Sequence, residues 1–306
     1  MKLQTKAVAR IFGVLSAVTL VHAAAGADDQ AALTPVTATN AAVAPDTRYG
    51  LFNGLDHRSA YAQEVFPEPF LVNDMALENN ELEFTWLHTK GGSQQSDIGS
   101  VEIQKGFGLL TLQAEVPYER NVSPDQTAHG AGNIELGARY PLYQFVSADQ
   151  FVDATFGAAM EGGIPADSTV SRNAELVPQI FNDLKLGDHF TVQSVLGWST
   201  LLDGGEDGGL QRFEYGFSFA YAIPHRELPL PRVQQFIPMF ELIGKTELNK
   251  DDAGHNSLLG DIGFRAKFNP VRRVEPNGGL GWVFPIDSGG RAELHWGFIA
   301  SLIFEF

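Results

Sequence analysis

The sequence predicts an all-β protein that crosses a membrane as an antiparallel β-barrel of about 12 strands. Three observations carry this prediction: an N-terminal export signal, a series of segments with alternating hydrophobicity, and an aromatic closing strand. Successive side chains of a strand point to opposite faces, so a barrel strand in lipid needs apolar residues only at every second position. The mean hydropathy of −0.08 fits such a barrel and argues against a bundle of transmembrane helices.

Residues 1–27 have the pattern of a secretory signal peptide. Residues 1–10 carry basic side chains without an acid, and an apolar stretch follows over residues 11–21. Small residues then offer cleavage after Ala23 or Ala27. The apolar stretch is shorter than the roughly 20 residues that span a bilayer. We therefore expect the mature chain to begin outside the cytoplasm.

The bulk composition excludes several classes of function. The chain has no Cys, which excludes disulfides, thiol nucleophiles and thiolate metal sites, and is compatible with a periplasmic route. The formal net charge of −16 argues against nucleic acid as a partner. This acidity fits a lumen that recruits cations, and it fits equally well exposed loops that only need to be soluble.

Residues 28–79 form a lead that precedes the barrel. Its first part is rich in Ala, Thr, Pro and Asp and has no periodicity, which predicts a flexible segment. After Asp46 the lead contains apolar residues that do not alternate. Such a segment packs against another surface, which in a barrel is the lumen, as a partial plug. The alternative is a periplasmic tail with a short helix near residues 57–64.

From residue 80 to 306, alternating segments separated by turn-forming clusters predict the barrel itself. Pro178 weakens the sixth segment because proline lacks the N–H of a strand ladder. The predicted strands are residues 81–89, 98–105, 110–118, 133–140, 151–161, 174–184, 190–199, 210–223, 236–246, 258–268, 278–284 and 292–306. The count is even, as in bacterial barrels, and longer connections alternate with shorter ones, so both chain ends lie on the periplasmic side.

The last predicted strand is the most distinctive. It places apolar side chains on one face, namely Leu294, Trp296, Phe298, Ala300, Leu302, Phe304 and Phe306. It resembles the closing strand of outer-membrane barrels, in which a terminal aromatic residue marks the chain for the barrel-assembly machinery. Phe304 and Phe306 are therefore the candidate assembly signal, and the strand is expected to pair with the first one near residues 82–86. A soluble β-sandwich or lipocalin-like barrel would also alternate, but it would bury its apolar face.

The predicted inner face carries charges of both signs. These side chains either pair with each other across the lumen or line a pore and set its preference. Acids outnumber bases, which favours cations or neutral solutes over anions. The candidate pore-lining residues are Glu83, Glu102, Glu115, Glu135, Arg139, Arg212, Glu214, Glu241, Asp261, Arg265, Lys267 and Glu293.

Patterns for catalysis and for metal binding are weak. His57 and Ser59 lie in the irregular lead, and the His residues have no HExxH spacing. The loop 203–209 (DGGEDGG) lacks the Lys-Ser/Thr of a phosphate loop and the spaced acids of a Ca²⁺ loop. We therefore expect no enzyme activity, no cofactor and no metal.

Three stretches resemble one family of Gram-negative outer-membrane proteins. They are ENNELEFTWLH at 78–88, GAGNIELGARYPLY at 130–143 and PQIFNDLKLGDHFTVQSVLGW at 178–198. The chain from about residue 66 to its end is similar to transporters of the phenol-degradation meta-pathway type. That resemblance implies an outer-membrane barrel that admits small hydrophobic or aromatic compounds. The long segment before Phe66 departs from the usual short lead of that group.

Two functions follow as hypotheses. The first is a channel or transporter in the cell outer membrane, surrounded by lipid, for the uptake of small hydrophobic or aromatic molecules. The second is a closed barrel with a structural or surface-binding role, in which side chains and the lead fill the lumen.

Overall fold

A computed structural model of the chain describes residues 67–72 and 80–306, apart from residues 108–109, 172 and 203–206. The predicted signal peptide and most of the predicted lead lie outside the described residues. The described part is almost entirely β-structure, with one short helix, α1 (Ser288–Glu293). Among the described residues, no helix is long and apolar enough to span a membrane.

The strands follow the predicted order along the chain. Their bounds are β1 (Glu81–Gly91), β2 (Gln94–Phe107), β3 (Leu110–Val122), β4 (Thr127–Ala131), β5 (Asn133–Val146), β6 (Val152–Pro165), β7 (Glu175–Leu186), β8 (Phe190–Leu201), β9 (Gln211–Tyr221), β10 (Ile223–Pro224), β11 (Val233–Glu247), β12 (Asn256–Phe268), β13 (Glu275–Pro285) and β14 (Trp296–Glu305). Most strands are longer than the sequence predicted, because their ends extend into the connections.

Twelve of these strands close into one antiparallel barrel, and β4 and β10 are short additions to it. Each long strand pairs with the next along the chain, and β14 returns to β1 over a register from Glu81↔Glu305 to Lys90↔Trp296. A closed sheet leaves no unpaired edge, which is the condition for β-structure in lipid. The predicted strand number, antiparallel order and closing seam are confirmed.

The two faces of the barrel invert the arrangement of a soluble protein. Leu136, on the outer face of β5, is 49% exposed, whereas Glu241, on the inner face of β11, is fully buried at 0%. Large exposed residues such as Trp86, Ile103 and Ile262 likewise lie on the outside of their strands. The lipocalin-like alternative therefore does not describe this barrel.

One predicted strand needs correction, and another was expected only weakly. The last strand begins at Trp296, because residues 288–293 form helix α1, whose first turn is capped by the Asp287 carboxylate. Leu294 is consequently buried and does not belong to the outer face. Pro178 does lie within β7, but the pairing of β7 with β8 passes over Val177 and Pro178, because proline has no N–H to donate.

Candidate lumenal site

Strand alternation brings the predicted charged residues into the lumen, with one exception. Glu293 is the last residue of α1, not a strand residue, and its carboxylate lies 3.0 Å from the Lys245 ammonium. The others share the inner face of their strands with buried neighbours: Glu83, Glu102, Glu115, Glu135, Arg139, Arg212, Glu214, Glu241, Asp261, Arg265 and Lys267. That these residues line an open pore stays a prediction.

Four of the acids form a continuous row across neighbouring strands. Glu83 on β1 is directly opposite Glu102 on β2, Glu102 is opposite Glu115 on β3, and Glu115 is opposite Glu135 on β5. Directly opposed side chains on one face of a sheet have Cβ atoms about 5 Å apart, and like charges there are destabilising. This carboxylate row therefore gives one side of the lumen a negative potential at the expense of stability.

A small pocket continues the acidic side beyond the carboxylate row. Gln113 and Gln179 donate from their side-chain amides to the two oxygens of Glu161, at 3.1 and 3.0 Å. Neutral amides hold this carboxylate in place without neutralising its charge. The carboxylates that line the pocket are those of Glu135, Glu161, Glu175 and Glu214.

Arg212 and Lys267 are held in ion pairs near the ends of the barrel, whereas the Arg265 guanidinium lies 3.6 Å from the Glu83 carboxylate. The Arg212 guanidinium lies 2.9 Å from the Glu247 carboxylate. The Lys267 ammonium lies 3.2 Å from Glu275 and 3.1 Å from Glu305, which are themselves directly opposed on β13 and β14. Among the described residues, no group of three or more His, Asp or Glu side chains has the arrangement of a metal site.

The inner face of β11–β14 carries a buried apolar cluster beside the charged side chains of Glu241, Asp261 and Arg265. Ile243, Leu259, Val283 and Ile299 form a buried cluster there, joined by Leu87 on β1. In the twelve-strand order, β11 lies six places from β3 and thus across the barrel from it, whereas β14 pairs directly with β1. The segment that becomes β11 carries apolar residues on both faces, as the sequence shows. We call the surface that carries the buried cluster the apolar wall.

Residues 67–72 lie inside the barrel, against the apolar wall. The backbone N–H groups of Phe70, Leu71 and Val72 donate to the Glu241 carboxylate at 2.7, 2.8 and 3.1 Å. Arg265 donates to the Pro69 carbonyl at 2.6 Å. The lead was expected to be a plug or a tail. For the rest of the lead this question lies outside the described residues, and the plug stays a prediction.

Aromatic rings cluster on the outside near the short turn that joins β1 to β2. Trp282 and Trp296 stack with ring centroids 5.4 Å apart, and Trp86 meets Phe298 at 6.2 Å. Aromatic side chains of this kind form the girdles that mark the membrane–water interface of barrels. At the other end of the seam the backbone N–H of Phe306 donates to the Asn80 carbonyl at 2.8 Å. The assembly role of Phe304 and Phe306 stays a prediction.

Comparison with known proteins supports the fold. No protein-family model matches the chain, and no curated protein matches it significantly. Among solved structures, the chain is similar to an outer-membrane channel from Pseudomonas putida F1, with a TM-score of 0.51, 13% identity, and coverage of 79% of this chain and 100% of that one. The NanC porin (TM-score 0.44, 7% identity, 74% and 98% covered) and the KdgM porin (0.41, 11%, 74% and 99%) are more distant.

The likeness to the Pseudomonas channel shows a fold of the outer-membrane β-barrel type. The outer face of this chain agrees with it, because large apolar side chains are exposed on most of the barrel strands. Only a hydrocarbon environment makes such a surface favourable for a closed sheet. The chain is therefore an outer-membrane barrel.

Proposed function

We propose that the barrel is an outer-membrane channel that admits small hydrophobic or aromatic compounds. The observation that carries the proposal is the division of the lumen into two chemically different sides. The carboxylate row lies on β1, β2, β3 and β5, whereas the apolar wall lies on β11–β14, and the two regions adjoin where β1 pairs with β14. The Pseudomonas putida neighbour is itself described as an outer-membrane channel.

Each side of the lumen contributes a different property. The carboxylate row attracts cations and repels anions, as rings of acids do in cation-selective pores. The apolar wall is covered by Leu71 and Val72, so it offers a hydrocarbon or a ring an apolar surface only where residues 67–72 are displaced. The solute that suits both sides is a small molecule with an apolar or aromatic body that is neutral or positively charged. The sequence resemblance to phenol-degradation meta-pathway transporters supports the aromatic part of this proposal.

Swelling of liposomes that contain the purified protein tests the proposal. Three permanently charged solutes separate the effect of charge from the effect of an aromatic ring. They are benzyltrimethylammonium as an aromatic cation, choline as a cation without a ring, and benzenesulfonate as an aromatic anion. We expect the fastest swelling with benzyltrimethylammonium and the slowest with benzenesulfonate, relative to protein-free liposomes. Equal rates for benzyltrimethylammonium and choline would refute the aromatic preference while leaving the channel in place.

The second candidate is a closed barrel with a structural or surface-binding role. The observation that favours it is the presence of residues 67–72 inside the lumen, where they occupy part of the cross-section. A closed barrel would give no swelling above protein-free liposomes for any of the three solutes. The same experiment therefore separates the two candidates.

A further inference from the structure

We propose that residues 67–72 form a latch that docks on the apolar wall and narrows the channel, so that undocking the latch widens it. The docking site consists of the Glu241 carboxylate, a niche for the Phe70 ring, and the buried cluster that receives Leu71 and Val72. The effect on conductance rests on the proposed channel function, whereas the docking itself does not. The two are therefore tested by separate measurements.

The first part of the docking site is the Glu241 carboxylate. One of its oxygens accepts from the Phe70 N–H and the other from the N–H groups of Leu71 and Val72. Successive N–H groups that converge on one anion form the kind of backbone concavity that binds anions elsewhere in proteins. Glu241 is also directly opposite Asp261 on β12. A buried carboxylate beside a second one is costly unless donors satisfy it, and residues 70–72 supply three donors.

The second part is a niche for the Phe70 ring. Gly279 and Gly263 form its floor, and a Cβ atom on them would lie 2.6 Å from Cζ and 2.9 Å from Cε2 of that ring. The Arg265 guanidinium covers the ring at 4.3 Å from its centroid. The same guanidinium donates to the Pro69 carbonyl. The two glycines leave room for the ring on one side, and the guanidinium lies over its face on the other. Both features suit an aromatic side chain at this position.

The third part is the buried cluster of the apolar wall. Leu71 and Val72 are 5% and 3% exposed and pack in the same cluster as Ile243 and Leu259. Barrel closure does not need these contacts, because β11, β12 and β13 pair through their own backbones along continuous ladders. The three kinds of contact thus serve to hold the latch. A latch at this place lies within the lumen, where it takes up space that a solute would use.

Thiol labelling tests the docking without any transport. The chain has no Cys, so Val72→Cys introduces a single thiol. We expect this thiol to react with a water-soluble methanethiosulfonate at least tenfold more slowly than Leu248→Cys, whose position is exposed in a loop. Adding Phe70→Ala or Glu241→Gln to Val72→Cys should remove most of that protection. Equal rates for Val72→Cys and Leu248→Cys in the otherwise native chain would overturn the docking.

A matched control separates the latch from a general loosening of the lumen. Phe181 is a second buried lumenal phenylalanine, and it packs with Ala159 and Val195 away from the latch. Phe181→Ala removes the same ring volume and should leave the labelling rate of Val72→Cys unchanged. Acceleration as large as that caused by Phe70→Ala would contradict a specific niche. Heat-modifiable gel mobility shows that each variant has folded as a barrel.

Single-channel conductance tests the constriction. Phe70→Ala should raise the conductance, and Gly279→Ala should raise it as well, because the added methyl group displaces the Phe70 ring. In the Phe70→Ala background, Gly279→Ala should add nothing, since the ring is already absent. Unchanged conductance in Phe70→Ala, with Val72→Cys still protected in the native chain, would overturn the constriction and leave the docking. If no variant conducts, the channel function and the constriction fail together, while the labelling result still decides the docking.

Discussion

Neutralising the middle of the carboxylate row should weaken the cation preference of the channel. Glu102 and Glu115 are directly opposed, and Glu83 and Glu135 flank them on the neighbouring strands. The double variant Glu102→Gln and Glu115→Gln removes two of these four charges and keeps the side-chain volumes. It also removes a like-charge contact, so the folded barrel should not be destabilised.

The size of the effect follows from Coulomb's law. A monovalent cation about 5 Å from one carboxylate is attracted by about 0.8 kcal/mol in a water-like medium and by about 3 kcal/mol at an effective dielectric of 20. For a hydrated lumen we take the lower value, and screening at 0.1 M salt reduces two such charges to about 1 kcal/mol. At a pH at which both carboxylates are ionised, that energy corresponds to about a fivefold lower ratio of cation to anion permeability.

The reversal potential across a gradient of potassium chloride measures this ratio. We expect the double variant to shift the reversal potential toward zero at low salt. At 1 M salt, where the Debye length is about 3 Å, the difference from the native chain should nearly vanish. Glu227→Gln is the control, because Glu227 lies in an exposed connection between β10 and β11. A double variant with the native reversal potential at low salt would refute the assigned role of the carboxylate row.

Three further predictions concern the barrel and its connections. Leu136→Arg places a charge on the lipid face and should lower the free energy of unfolding from lipid vesicles by about 3 kcal/mol. The control Leu248→Arg, in a loop, should change it by less than about 0.5 kcal/mol. Equal losses in the two variants would contradict the assignment of the outer face. Lys267→Met leaves Glu275 and Glu305 directly opposed without their shared cation, and denaturant unfolding should show a loss of about 1 kcal/mol that Lys267→Met with Glu305→Gln partly restores. Burial raises the pKa of Asp287, but the hydrogen bonds from the N–H groups of Gly290 and Leu258 and from the Asn256 amide together outweigh it and lower the pKa. The stabilisation by Asp287 is therefore complete above its unfolded-state pKa of about 3.9, and it is lost as the pH falls through the lower folded-state pKa. At pH 7, Asp287→Ala should lower the free energy of unfolding by about 1 kcal/mol. Thermal unfolding should show that this difference shrinks below about pH 4. A loss that persists unchanged at low pH would contradict a charged cap.

The sequence was sufficient for the barrel because its signals are local. Alternation within each segment, turn clusters between segments and the aromatic final strand all follow from the period of a strand and from the lipid on one side. The exception at Ala292–Leu294 has a local cause, since the Asp287 cap starts a helix that alternation alone does not reveal. Pro178 lowered the expectation for β7, but the strand tolerates it because the pairing with β8 skips that position.

The arrangement of the lumen depends on features that a sequence does not display. Glu102 and Glu115 were both expected on the inner face, but their direct opposition depends on strand register, which a shift of one residue would destroy. The docking of residues 67–72 is less visible still, because those residues have no periodicity and their main contact, Glu241, lies 169–171 positions away. Gly279 forms part of the niche for Phe70 only because β13 pairs with β12, and this pairing is not visible in the sequence around Gly279.

Recording from the full-length protein in a planar lipid bilayer tests the proposed channel most directly. The protein should first be shown to be a folded barrel by its heat-modifiable gel mobility. We then expect discrete conductance steps that carry cations in preference to anions at low salt, as the carboxylate row requires. A folded barrel that inserts into the bilayer and conducts no ions would contradict the channel and favour the closed barrel.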